Sequence, residues 1–120
     1  MPGNTLFSIG EALIEMLPSR TGCAFDEVPS FRPRVGGAPA NVCGAFARLG
    51  GKSALLTQLG NDPFGHRIAR ELAACGVDLS HLTFTDAANT ALAFVSLAED
   101  GKRTFSFYRK PSADLLYAPE

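Results

Sequence analysis

The sequence carries no excess of charge of either sign: 11 Lys and Arg stand against 12 Asp and Glu, for a formal net charge of −1. Nothing in that balance points to a nucleic-acid or anionic-membrane partner. Cysteine is scarce as well. Cys23, Cys43 and Cys75 are odd in number, widely spaced and form no CxxC pattern. They read as reduced thiols in a cytoplasmic protein, with Cys43 and Cys75 buried on helices. No apolar run approaches the roughly 20 residues of a membrane span. The stretch from Met1 to Arg20 lacks a basic segment followed by an unbroken apolar one, so no signal peptide is read. HExxH, Gly-x-Ser-x-Gly and the P-loop are all missing, which leaves zinc hydrolase and serine hydrolase chemistry without support. GxGxxG is missing too. Gly10-Glu11-Ala12-Leu13 stands where that fingerprint belongs, and Gly36-Gly37 follows a Pro-rich stretch rather than a buried strand, which argues against a dinucleotide-dependent dehydrogenase.

What is present is an ordinary globular chain, 120 residues long and 46% hydrophobic, enough for one domain and one core. Thr5 to Ile9 reads as a buried first strand closed by Gly10. Glu11 to Pro18 continues in extended or mixed form and carries Glu11 and Glu15 in apolar surroundings. A carboxylate just past the C-terminal end of a buried strand lies where ligands bind in open α/β sheets; the plainer alternative is a solvated strand edge. Ser19 to Pro33 reads as one or two short strands outside the main sheet, with Phe25 and Phe31 covering a neighbouring element.

Gly36-Gly37-Ala38-Pro39-Ala40-Asn41 comes next. Two glycines leave a bare backbone that a ligand can approach, and Pro39 suits the first turn of a helix. Val42, Ala45, Phe46 and Leu49 repeat at helical spacing until Gly50-Gly51 stop them. A glycine turn feeding a helix N-terminus gathers backbone N–H groups, which suits hydroxyl-rich or anionic small molecules.

Ser53 to Leu59 reads as a second parallel strand. Asp62 then caps a helix, with Pro63 at its first position, Phe64, Ile68 and Leu72 along one face, and Gly76 closing it. His66 is placed on its surface, and His81 in a loop. Leu82 to Phe84 is a short third strand. Ala91 to Ala98 and Arg103 to Tyr108 flank an Asp-Gly turn and predict a hairpin, with Phe105 and Phe107 on one face. Arg109 to Asp114 leaves it as a polar loop. Strands alternating with helices argue a parallel sheet, and the two excursions can pair as a small accessory sheet.

These residues resemble the ribokinase (PfkB) family of sugar kinases, and bacterial fructokinases within it. Gly10 to Pro18 looks like the fructokinase opening, and Gly36 to Asn41 looks like the family's N-terminal signature, with Gly50 and Gly60 at its expected spacing. Gly60-Asn61-Asp62-Pro63-Phe64-Gly65 is similar to the family's Gly-x-Asp-x-Phe-Gly turn, and Lys102 to Arg109 is similar to its lid hairpin. The resemblance implies an α/β fold with a Rossmann-like parallel sheet, flanking helices and a small β-sheet lid. It implies phosphoryl transfer from ATP with Mg2+ to a sugar primary hydroxyl. By the same resemblance Gly36, Gly37 and Asn41 hold sugar hydroxyls, Glu15 matches an acidic sugar-binding position, and Arg109 resembles a lid arginine that reaches the substrate. A carboxylate accepts from paired hydroxyls, a bare glycine backbone donates, and Asn does both, so the chemistry agrees.

Three departures accompany it. Glu15 stands where the family usually has Asp, one methylene shorter. Cys43 stands where Ala, Ser or Thr is usual. The family's second signature, a Gly-Ala-Gly-Asp that carries the catalytic base, does not occur. The expectation is therefore that residues 1–120 are the N-terminal, sugar-binding portion of one ribokinase-like domain. Its lid segments are expected at about 19–34 and 91–109, and neither catalytic, nucleotide-binding nor metal residues are expected in the chain. A small-molecule sugar is the expected partner, with neither nucleic acid nor membrane, and the lid is a possible homodimer surface. Two alternatives stay open. One is a kinase of the same family acting on 2-keto-3-deoxygluconate, ribose or a nucleoside. The other is a stand-alone sugar-binding or interaction module.

Overall fold

The computed structural model describes residues 4–109 and 111–118. Met1 to Gly3, Lys110, Pro119 and Glu120, touched by the leader, polar-loop and domain readings, lie outside the described residues. Among the described residues seven strands and two α-helices form: β1 (Thr5–Ile9), β2 (Leu13–Pro18), β3 (Phe31–Gly36), α1 (Ala38–Arg48), β4 (Lys52–Gly60), α2 (Pro63–Cys75), β5 (Leu82–Thr85), β6 (Leu92–Leu97) and β7 (Arg103–Tyr108). The strands divide into two sheets. One is parallel, with order β1-β4-β5; the other has order β3-β2-β6-β7. The α/β class with a Rossmann-like parallel sheet and a smaller second sheet is the one the sequence implies.

β4 is the centre of the parallel sheet. Its Ser53, Ala54, Leu55, Thr57 and Leu59 are buried, as expected of a strand covered on both faces. Leu55 and Leu59 meet Ile68 and Leu72 of α2 and Cys43 and Ala40 of α1 in a single core. Ile14 of β2 is fully buried in that core, and Met16, Val35 and Leu92 pack against it. One face of the second sheet therefore closes the core of the first. Beyond the core, that same face carries an aromatic cluster in which Phe25 and Phe31 pack on Phe94. These two rings cover a neighbouring strand, as the sequence suggests.

Several local expectations need correction. β1 is an edge strand among the described residues, with Phe7 and Ile9 mostly exposed, because it pairs with β4 on one side only. Glu11 to Pro18 does not continue β1. The chain bends at Gly10 and starts β2 in the second sheet, antiparallel to β3 and parallel to β6. The strand expected before Gly36-Gly37 runs on to Gly36 itself, but only Gly36 of β3 is buried, so the glycine pair does not follow a buried strand. Pro33 lies inside β3, one of the short strands expected outside the main sheet, and is tolerated because β3 is an edge among the described residues. On α1 the buried positions are Ala40 and Cys43, while Val42, Phe46 and Leu49 are 51%, 40% and 89% exposed. The largest apolar side chains of that helix face away from the core because its close approach to β4 leaves room only for small ones. Cys75, expected buried, is half-buried at the end of α2, beside Arg48.

α2 is fixed at both ends by the residues expected to do so. The Asp62 carboxylate accepts from the Gly65 N–H at 2.8 Å, and Gly76 adopts a left-handed φ of 95°. Asp62 also accepts from the Thr90 N–H and hydroxyl at 2.8 and 2.9 Å, which ties the start of α2 to the entrance of β6. Burial by itself would raise the Asp62 carboxyl. The hydrogen bonds from Thr90 and Gly65 outweigh it and hold the group below its ordinary value.

Candidate functional site

The site is built where the two sheets meet, at the end of β3 and the start of α1. Gly37 is the N-cap of α1, with φ 97° and ψ 131°. A Cβ there would lie 2.7 Å from the Glu11 carbonyl oxygen, so only glycine permits the close passage of these two segments. Gly10 plays the matching part opposite Pro39, whose ring would stand 2.8 Å from a Cβ on Gly10. The first α-helical bond runs from the Asn41 N–H to the Gly37 carbonyl at 2.9 Å. The N–H groups before it have no intrahelical acceptor, and Pro39 has none to offer. The result is a short, donor-rich helix entrance with Asn41 exposed on it.

Glu15 comes to this entrance from the neighbouring strand. It pairs with Arg34 across β2 and β3, and the Arg34 Nη2 donates to Glu15 Oε1 at 3.2 Å. Glu15 is mostly buried, with 16% of its side chain exposed, whereas Arg34 is 54% exposed. The Glu15 side chain folds over Gly36: a Cβ on Gly36 would stand 2.7 Å from both Cγ and Cδ of Glu15. Residues directly opposite one another share a sheet face. On β6 the position beside Glu15 is Ala93, and on β7 the position beside Ala93 is Phe107. One face of the second sheet thus carries, in a row, a guanidinium, a carboxylate, a small floor and an aromatic ring.

Arg34 and Asn41 also line a groove of about 620 Å³ that runs between the helices to Arg48, Glu71 and Cys75. Glu15, Gly36 and Gly37 do not line that groove; Glu15 lies against Gly36, and Asn41 is joined to Gly37 by its backbone hydrogen bond. Arg109 is held differently. Its Nη1 pairs with Glu11 Oε2 at 2.9 Å and its Nη2 with Asp114, which also accepts from the Ser112 hydroxyl. Arg109 therefore reaches the glycine turn through Glu11, whose carbonyl borders Gly37, rather than through Glu15.

Sequence reasoning missed Arg34, Glu11 and Asp114 as members of these pairs. Arg34 carries a charge on an expected strand, but the 12 residues between β2 and β3 conceal the register that sets it opposite Glu15. The pairing of Glu11 with Arg109 spans almost the whole chain and leaves no local signal.

Chemically, the arrangement sets hydrogen-bond acceptors and donors side by side. Glu15 accepts, Arg34, Asn41 and the helix N–H groups donate, and Phe107 offers an apolar ring face. It holds no nucleophile paired with a base. Among the described residues there is also no group of three or more His, Cys, Asp or Glu placed to hold a metal ion. Burial pushes the Cys43 thiol up, against the opposite pull of hydrogen bonds with Ser53 and Ser8, so it is an inert core group. No helix among the described residues is long and apolar enough to cross a membrane.

Comparison with known proteins gives a consistent result. The model of the pfkB family carbohydrate kinase matches residues 4–119. A fructokinase of Solanum tuberosum is 50% identical over 115 residues, which are 96% of this chain and 36% of that protein. A fructokinase-2 of Solanum lycopersicum is 50% identical over 114 residues, or 95% of this chain and 35% of that one. Among solved structures, a fructokinase from Xylella fastidiosa with bound ATP is 45% identical with a TM-score of 0.84, over 96% of this chain and 36% of that one. An uncharacterized sugar kinase from Pyrococcus horikoshii, in complex with ATP, is 35% identical with a TM-score of 0.83, over 90% of this chain and 35% of that one. The chain spans about a third of the length of the relatives it matches.

Proposed function

Because the chain belongs to the pfkB family of carbohydrate kinases, we propose that it forms the sugar-binding portion of a fructokinase-like enzyme. The reaction is transfer of a phosphoryl group from ATP to a sugar primary hydroxyl. Residues 1–120 act as the N-terminal portion of one ribokinase-like domain, with the second sheet, including segments 19–34 and 91–109, as the lid over the sugar. The observation that carries this is the meeting of the Glu15 carboxylate with the Gly36–Asn41 helix entrance. Glu15 accepts from sugar hydroxyls, Gly36 and Gly37 let the sugar approach the backbone, and Asn41 donates and accepts. Arg109 closes the end of the lid and reaches the substrate after leaving Glu11.

ATP and Mg2+ are proposed for the whole protein. Among the described residues there is no group of metal ligands, and the sequence holds no P-loop. Three free cysteines agree with a reducing, cytoplasmic setting. The exposed edge of β7, with Phe105 and Phe107 beside it, is the proposed homodimer surface. Sedimentation equilibrium tests it: a monomer at all concentrations, unchanged by Phe105→Asp, removes the proposal.

A thermal-shift panel of sugars tests the reading as a whole. Fructose raises the melting temperature of the wild-type chain and not that of Glu15→Ala. Equal shifts in both remove Glu15 from the site. A second reading, a different sugar such as 2-keto-3-deoxygluconate, ribose or a nucleoside, is favoured by Glu15 standing in place of the usual Asp, and the same panel separates it. The stand-alone module is favoured by exposed Val42, Phe46 and Leu49 on α1. A downstream Gly-Ala-Gly-Asp in the coding sequence rules it out.

A further inference from the structure

We propose that Arg34 both orients the Glu15 carboxylate and donates to the sugar beside it, that Gly36 is a seat for that carboxylate, and that these three residues together set which sugar this site prefers. The inference rests on the reading that Glu15 binds sugar. A Glu at this position is one methylene longer than an Asp, and the extra length has to be taken up. The structure takes it up sideways. Cγ and Cδ of Glu15 occupy the space that a side chain on Gly36 would need, each 2.7 Å from the position of a Cβ there. The carboxylate is then tethered from the other side by Arg34, its direct antiparallel partner, at 3.2 Å.

Two consequences follow for ligand recognition. The bare Gly36 backbone has a second task besides admitting the sugar: it gives the long carboxylate somewhere to lie. A guanidinium also stands next to the acceptor, with N–H donors beyond the one given to Glu15, and it is half exposed on the groove that Asn41 lines. A hydroxyl that donates to Glu15 therefore has a neighbour that can accept from Arg34. The configuration of adjacent hydroxyls, rather than the presence of one, is what such a pair discriminates.

The test uses this chain and two ketohexoses that differ at one hydroxyl, D-fructose and D-tagatose, titrated by calorimetry. Arg34→Gln lowers fructose affinity about tenfold, the value of one charge-assisted hydrogen bond, and narrows the ratio between the two sugars. Arg34→Lys restores part of the ratio. A merely structural Arg34 changes the melting temperature and leaves the ratio as it is.

The seat is tested without sugar. Gly36→Ala lowers the melting temperature beside Glu15, and Glu15→Asp in the same chain recovers most of that loss. Strictly additive changes overturn the seat. An unchanged sugar ratio in Arg34→Gln, with binding still lost in Glu15→Ala, overturns the role of Arg34 alone. Fructose affinity undiminished in Glu15→Ala overturns the underlying reading and the inference with it.

Discussion

Arg109 and Glu11 form an ion pair of 2.9 Å that joins the end of β7 to the bend after β1. It links the two sheets at Glu11, whose carbonyl borders Gly37, and Asp114 holds the other guanidinium nitrogen. A three-membered charge group of this kind, roughly a quarter exposed at Arg109, is costly to break from one side. Arg109→Ala should destabilise the chain by about 2–3 kcal/mol. Arg109→Lys should recover less than half, because a single ammonium cannot serve both carboxylates in the same geometry. Urea unfolding of the three proteins checks this. Equal midpoints for wild type and Arg109→Ala would show that the pair contributes nothing.

Asp62 makes the fold sensitive to acid. Its folded carboxyl lies below the ordinary value of 3.8, so it binds a proton less readily folded than unfolded. The stability it contributes is fully present above that ordinary value and is lost as pH falls through the lower folded one. Asp62→Ala should cost about 1–2 kcal/mol at neutral pH through loss of the cap and of the Thr90 tie. In acid the difference between variant and wild type should shrink. Thermal melts from neutral pH down to strong acid measure it, and a constant difference across that range would contradict the assignment.

Two glycines on the helices should behave oppositely. A Cβ on Gly65 would run into the Gly60 carbonyl oxygen and stand 2.9 Å from the Thr90 hydroxyl, so Gly65→Ala forces α2 away from β4. The expected loss is about 1–3 kcal/mol. A Cβ on Gly44 of α1 meets nothing within 4 Å, so Gly44→Ala should stabilise by about 0.5–1 kcal/mol through helix propensity alone. Melting temperatures that move in the same direction for both would refute the packing account.

Much of this was legible in the sequence because it rests on local chemistry. Asp62, Pro63 and Gly76 announce a helix by caps and φ preferences, and the Asp-Gly turn announces β6 and β7. The ordered glycine, Asn and Asp motifs implied the family. What stayed hidden depends on partners distant in sequence. The apolar period of α1 showed a helix, but the face it buries is decided by how closely β4 approaches, which favours Ala40 and Cys43 over Phe46 and Leu49. A strand near Pro33 was expected, but its run to Gly36 and the edge position that makes that Pro tolerable are not encoded locally. Arg34 meets Glu15, and Arg109 meets Glu11, only through sheet register.

The purified 120-residue chain should not turn over. The Gly-Ala-Gly-Asp of the family, which carries the catalytic base there, does not occur in its sequence. Phosphoryl transfer depends on positioning and charge stabilisation at both reactants. A coupled assay with fructose, ATP and Mg2+ should give no rate above the protein-free control. Turnover at an ordinary kinase rate would refute the prediction.

The central claim is that the helix entrance after Gly37 and the carboxylate of Glu15 together hold a sugar. The most direct measurement is a two-dimensional amide NMR titration of the labelled chain with fructose. The account predicts saturable shifts centred on Gly36, Gly37 and Asn41, extending to Arg34 and Phe107 and lost in Glu15→Ala. Shifts confined to other surfaces, such as the ends of α1 and α2 around Arg48 and Cys75, or no saturable shifts at all, would contradict it.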